Sequence, residues 1–180
     1  MTGKPMPLDR LATIAAGWLV LVAGCSAPPV GPAANAPVTL RVGDEKDLAA
    51  ILDKHRGKLV LVDFWATWCP PCVAMLPHTV GLQRRWGDKG LAVVTVSFDS
   101  PQREAIVLDA LQRAQANTEN LLSRYGAGVQ SVESFEAGEG ALPYLKLFDR
   151  QGKLVRTFGL GGDQPEPDVI DRAVESLMTP

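Results

Sequence analysis

Apolar and polar positions along the 180-residue chain change period several times beyond residue 37, and each change marks a strand or a helix. Val38 to Val42 alternates and predicts an edge strand. Asp44 can cap a helix running to about His55, with Leu48, Ile51 and Leu52 on one face. Leu59 to Ala66 is apolar except at Asp63, as expected for a central strand buried on both faces. Beyond it Val73, Leu76 and Val80 form one row at helical spacing, and Met75, Thr79, Leu82 and Trp86 form its neighbour. Pro77 falls inside that helix and is expected to kink it without ending it, because the apolar period resumes afterwards. Ala92 to Phe98 predicts a second buried strand, and a helix follows from about Gln102 to Ala114. Tyr144 to Phe148 and Leu154 to Phe158 flank Asp149-Arg150-Gln151-Gly152-Lys153, a hairpin with Gly152 available for the left-handed position. Asp168 to Met178 carries Val169, Ala173, Val174 and Leu177 on one stripe and reads as a closing helix. The interval from Gln115 to Gly140 shows no period. Strands alternating with helices, without an internal repeat, predict an α/β fold.

The N-terminus has a different pattern. Lys4 and Arg10 precede an apolar run from Leu11 to Ala23 that closes on Leu21-Val22-Ala23-Gly24-Cys25. That run is short for a bilayer-spanning helix, which needs about 20 residues, and it reads as an export signal. Small residues directly before a cysteine are similar to the lipobox of bacterial lipoproteins, in which the cysteine is lipidated and becomes the new N-terminus. The similarity implies a lipoprotein-type signal peptide over 1–24 and a lipid on Cys25, with Ser26 permitting transfer to an outer membrane. A signal anchor, or an ordinary signal cut elsewhere, is the alternative. Residues 25–37 are rich in proline and alanine with no apolar face, as expected of an extended tether, which leaves 38–180 as the folded domain.

Composition narrows the partners. A content of 46% hydrophobic residues suffices for the core of one domain, whereas a net charge of −2 without a long basic run argues against nucleic acid. The chain is expected to act as a monomer.

Beyond Cys25, the chain has one pair of cysteines, in Asp63-Phe64-Trp65-Ala66-Thr67-Trp68-Cys69-Pro70-Pro71-Cys72. A zinc clip wants about four ligands, and besides carboxylates only His55 and His78 accompany the pair. Covalent haem attachment wants histidine after the second cysteine, where Val73 stands. No metal or cofactor is therefore expected. A structural disulfide across so small a loop removes little unfolded-state entropy. A redox pair makes better use of the position, since Cys69 lies at a strand's end and Cys72 in the first turn of a helix. The positive helix terminus favours a thiolate, which makes Cys69 the expected exposed nucleophile. Pro70 and Pro71 suit a helix start but remove two donors to that thiolate, which lowers the reduction potential and leans the pair towards a reductant. Burial is expected to raise the Asp63 pKa, so that the acid could exchange a proton with Cys72.

The segment resembles the active site of the thioredoxin superfamily. WCPPC after a strand, Pro77 in the following helix and Leu142-Pro143-Tyr144 before a later strand occur in that family's order. With the export signal, the chain is most similar to TlpA-like, membrane-anchored thiol-disulfide oxidoreductases of the bacterial envelope. The resemblance implies a central mixed sheet flanked by helices, an N-terminal strand-helix extension, and an insertion over 115–140 before the cis-proline strand. It implies Pro143 in cis, Leu142 offering backbone hydrogen bonds to substrate, and Asp63 taking the Cys72 proton. Thioredoxins often place a lysine near this acid; Thr95 aligns there. Trp68 is expected at the docking rim and Trp65 in the core, while Glu133, Glu136 and Glu139 read as a solvated loop or a selector of basic partners. The implied partners are protein disulfides, an upstream electron-donor thiol protein and a membrane facing the periplasm or cell exterior. A disulfide-forming oxidase and a non-catalytic binding module are the alternatives. A peroxidase would need a peroxidatic cysteine outside the pair.

Overall fold

The structure, a computed structural model, describes residues 1–3, 37–159, 161 and 163–178. The chain divides into residues 1–30 and 31–180, and every element below belongs to the second unit. Cys25, the predicted signal peptide beyond its first three residues, and the predicted tether up to residue 36 lie outside the described residues.

β1 (Arg41–Gly43) leads into α1 (Glu45–Lys54), whose start is held by a reciprocal cap. The Asp44 side chain accepts from the amides of Lys46 and Asp47, and the Asp47 carboxylate accepts from the Asp44 amide in return. Next come β2 (Leu59–Trp65), α2 (Pro70–Trp86), β3 (Leu91–Ser97) and α3 (Glu104–Arg113), then β4 (Glu119–Ser123) and α4 (Val129–Ser134). The antiparallel hairpin of β5 (Tyr144–Phe148) and β6 (Leu154–Phe158) precedes α5 (Pro167–Met178). Gly152 turns the hairpin at φ +74°.

The six strands form one mixed sheet in the order β1-β4-β3-β2-β5-β6. β1, β4, β3 and β2 run parallel, and β5 pairs antiparallel with both β2 and β6. Every residue of β2 and β3 is buried, which explains their unbroken apolar runs. On one face Val60, Val62 and Phe64 meet α1 and Phe135. On the other, Leu59 and Leu61 meet Leu82 of α2 and Ile170, Ala173 and Val174 of α5. Trp65 joins the latter side at the carboxyl end of the strands, packed with the cysteines, Leu76, Val80 and α3.

Three details differ from the sequence pattern. The edge strand begins at Arg41, and Val38 and Leu40 ahead of it pack against the cluster around Trp65. Val73, expected on the buried row of α2, is 41% exposed, because the first helical turn follows the end of β2 and its inward positions are taken by Cys72 and Leu76. The interval 115–140 supplies β4, a strand between β1 and β3, followed by α4. β4 contains a buried polar residue, Asn120, whose amide group donates to the carbonyls of Thr39, Ala116 and Thr118 at 2.9–3.1 Å and accepts from the Thr95 hydroxyl at 2.8 Å. With its side chain satisfied, asparagine is tolerated where the pattern would ask for an apolar residue.

Candidate redox site

The end of β2 delivers the chain to the start of α2, and there Cys69 and Cys72 are joined in a disulfide. Cys69 is the N-cap of α2, and its Sγ accepts the Cys72 amide at 3.3 Å. Pro70 and Pro71 occupy the first helical positions, where an amide hydrogen has no intrahelical partner to lose. The sulfur thus sits at the positive end of a 17-residue helix with Cys72 as its nearby amide donor. Pro77 lies inside α2, which continues past it to Trp86.

Cys69 retains 6% exposure and Cys72 1%. The sequence predicts an open Cys69; the disulfide instead packs into the cluster of Trp65, Leu76 and Leu142, which covers most of it. Cys69 is still the more accessible sulfur-bearing residue of the two. Beside it Trp68 is 50% exposed, while Trp65 is fully buried, as the strand's alternation implies.

The Leu142-Pro143 peptide bond is cis. Pro143 is buried, and Leu142 packs against both the cysteine cluster and the cluster around Phe64. The chain leaving β6 passes close to this bond: a Cβ built on Gly159, at φ +86°, would stand 2.2 Å from the Pro143 carbonyl oxygen. Only glycine satisfies both the backbone angle and the approach. Nothing distinguishes Gly159 in the sequence from an ordinary turn glycine, and it was not among the predicted site residues.

Asp63 is 1% exposed, on the side of β2 that faces α2. Neither carboxylate oxygen has a hydrogen-bond partner, and nor does the Thr79 hydroxyl on the buried face of α2. Burial pushes the Asp63 carboxyl up to about 7, and the nearby Thr79 hydroxyl opposes this. Thr95 is the cross-strand neighbour of Asp63, as the sequence alignment expects, and its hydroxyl is turned to Asn120.

Two further groups were invisible to sequence reasoning. Asp99 is fully buried after β3 and accepts from the Thr67 amide (2.7 Å), the Thr67 hydroxyl (2.5 Å) and the Ser97 hydroxyl (2.9 Å), with the Arg103 Nε at 3.3 Å. It pins the turn that carries Trp68 and Cys69. Lys146, in the middle of β5, is 6% exposed and donates to the Phe135 carbonyl at 3.0 Å, with Glu136 at 3.8 Å. Burial lowers its pKa, and Glu136 opposes this. A lysine in an apolar strand and an acid after one are signals, but neither names its partner.

Glu133 and Glu139 are exposed and line a cavity of about 450 Å³ together with Trp68, Phe98, Val129 and Leu142. His55 lies 3.6 Å from Glu119, and His78 3.0 Å from Asp171. Among the described residues no group of three or more His, Cys, Asp and Glu is arranged to hold a metal ion. No described helix is long and apolar enough to cross a membrane.

A mixed sheet, a CxxC disulfide capping the helix after its central strand and a cis Leu142-Pro143 bond whose leucine packs against the cysteine cluster define a thioredoxin-like protein. The AhpC/TSA family model matches residues 32–174, and the chain belongs to that family. Thiol-disulfide oxidoreductase ResA of Oceanobacillus iheyensis is 36% identical over 74 residues, a match covering 41% of this chain and 38% of the relative. The chain thus matches well under two thirds of that relative's length. The thioredoxin domain of a thiol-disulfide oxidoreductase from Bacteroides vulgatus is similar in fold, with TM-score 0.55 at 24% identity, covering 70% of this chain and 84% of that one. The exposed lipoprotein thioredoxin Etrx1 of Streptococcus pneumoniae matches at TM-score 0.53 and 29% identity, covering 70% and 90%.

Proposed function

We propose that the protein is an envelope thiol-disulfide oxidoreductase that reduces protein disulfides through the Cys69-Cys72 pair. The observation that carries this reading is the Cys69 sulfur at the N-terminus of α2, accepting the Cys72 amide and packed with Leu142 beside cis-Pro143. In the dithiol state the Cys69 thiolate attacks one sulfur of a substrate disulfide, forming a mixed disulfide and releasing the other substrate sulfur as a thiolate. Cys72 then gives up its proton and attacks the Cys69 sulfur, expelling the second substrate thiolate and closing the Cys69-Cys72 disulfide. The substrate gains two electrons and, in water, two protons. A dithiol protein of the electron-donor class reverses the sequence and returns the pair to its reduced state.

Asp63 takes the Cys72 proton. The acid is buried with both oxygens free of hydrogen bonds, and a pKa of about 7 suits a group that must accept and return a proton near neutrality. Leu142 offers backbone groups to an extended substrate segment, and Trp68 supplies an apolar rim. The protein acts as a monomer, exported by residues 1–24, lipidated at Cys25 and tethered by 25–37; the similarity to an exposed lipoprotein thioredoxin supports the lipid anchor alone.

Reduction of insulin by dithiothreitol tests the reading. The full chain should accelerate it, and Cys69→Ser should abolish the acceleration. Equal rates with and without the protein would leave only a binding module.

A further inference from the structure

The cavity beside the disulfide has one wall from the redox site and one from α4. Trp68 is 50% exposed and Val129 70%, so two large apolar side chains face solvent at a concavity of about 450 Å³. Apolar surface gathered in a concave site next to a reactive group is what a docking segment covers. Two acids, Glu133 and Glu139, line the same cavity, and among the described residues neither has a cationic partner. Glu136 differs, being drawn towards Lys146 at 3.8 Å.

Glu133 rides on α4, and the turn that carries Glu139 is tied back to that helix by the Ala137 amide donating to the Val132 carbonyl at 2.8 Å. Phe135 sits in the core, its carbonyl takes the Lys146 ammonium, and the Ser131 hydroxyl is 2.7 Å from that of Ser123 on β4. α4 is thereby fixed to the sheet from two sides. Two uncompensated carboxylates at an apolar-walled cleft attract a cationic side chain and repel an anionic one, and these charges act on encounter and specificity more than on the chemistry of exchange.

Resting on the redox reading above, we propose that this groove selects its substrates: it takes an extended protein segment carrying lysine or arginine close in sequence to the reactive cysteine. An apolar side chain of the segment covers Trp68 and Val129, and the cation lies between Glu133 and Glu139. Acidic segments are disfavoured by the same two carboxylates.

The test uses the full-length protein in its dithiol form with two disulfide peptides that differ only in flanking lysines or glutamates, and with neutral bis(2-hydroxyethyl) disulfide. The basic peptide is expected to exceed the acidic one in kcat/KM by about three- to tenfold at low ionic strength, the range of one or two exposed charge pairs. At about 1 M salt, where screening acts within about 3 Å, the ratio should fall to near unity. Glu133→Gln combined with Glu139→Gln should bring the low-salt ratio to near unity as well. Equal rates for the two peptides, a preference that survives salt, or one that survives the double substitution each overturn the proposal. If the neutral disulfide is reduced and the peptides do not differ, only the groove inference fails; if no disulfide is reduced, the redox reading fails with it.

Discussion

Asp63 and Thr95 stand opposite each other on β2 and β3, and the threonine gives its hydroxyl to Asn120 instead of to the acid. The carboxyl is left buried without a hydrogen bond, and its pKa is pushed from 3.8 to about 7. Below pH 4 the folded and unfolded chains both hold this proton. Between about 4 and 7 the folded chain keeps a proton that the unfolded chain has released, so stability falls as pH rises through that window. Above about 7 both are ionised and the full penalty remains, about 4 kcal/mol at about 1.4 kcal/mol per pH unit. Asp63→Asn should therefore flatten the pH dependence of denaturant unfolding between 4 and 7. An unchanged slope would show that Asp63 ionises normally.

Cys72 is the more buried member of the pair and is expected to resolve, not initiate, the exchange. Cys72→Ser should trap the substrate covalently on Cys69 as a dithiothreitol-sensitive adduct visible by mass spectrometry. Cys69→Ser should trap far less. The reverse pattern would exchange the two roles.

Asp99 gathers the Thr67 amide and hydroxyl and the Ser97 hydroxyl into one buried site. Asp99→Ala leaves buried donors unpaired and should cost about 3 kcal/mol in chemical denaturation. Because the same bonds pin the turn before Cys69, the variant should also lose insulin-reducing activity at temperatures where it remains folded. Full activity in the folded variant would confine Asp99 to stability.

Gly159→Ala places a methyl group against the Pro143 carbonyl oxygen at a backbone angle that alanine resists. A loss of about 1–3 kcal/mol is expected, the range for forced overpacking, with raised KM for protein disulfides as the loop next to Leu142 shifts. A variant as stable as the parent would contradict the close approach.

How much of this was legible beforehand depended on what each residue touches. The buried strands, the cap at Asp44, the helix behind the cysteines and the hairpin follow from period, and cis-Pro143 follows from the resemblance. β4 was illegible because Asn120, its second residue, breaks the apolar pattern and is satisfied by carbonyls from Thr39, Ala116 and Thr118. Asp99, Lys146 and Gly159 escaped for a related reason: each acts on a partner supplied by folding, Thr67, Phe135 and Pro143 respectively. The accessibility of Cys69 is lower than its helix position implies, because that position says nothing about the side chains, Trp65, Leu76 and Leu142 among them, that pack into the same cluster.

The equilibrium reduction potential of the Cys69-Cys72 couple, measured against glutathione or dithiothreitol buffers, tests the central claim most directly. Two prolines in the helix start leave the thiolate few amide donors, and the expected result is a reversible two-electron couple below about −180 mV, the value of protein disulfide isomerase. A potential well above that value would make the protein a disulfide-forming oxidase, and a disulfide that cannot be cycled would contradict a redox function altogether.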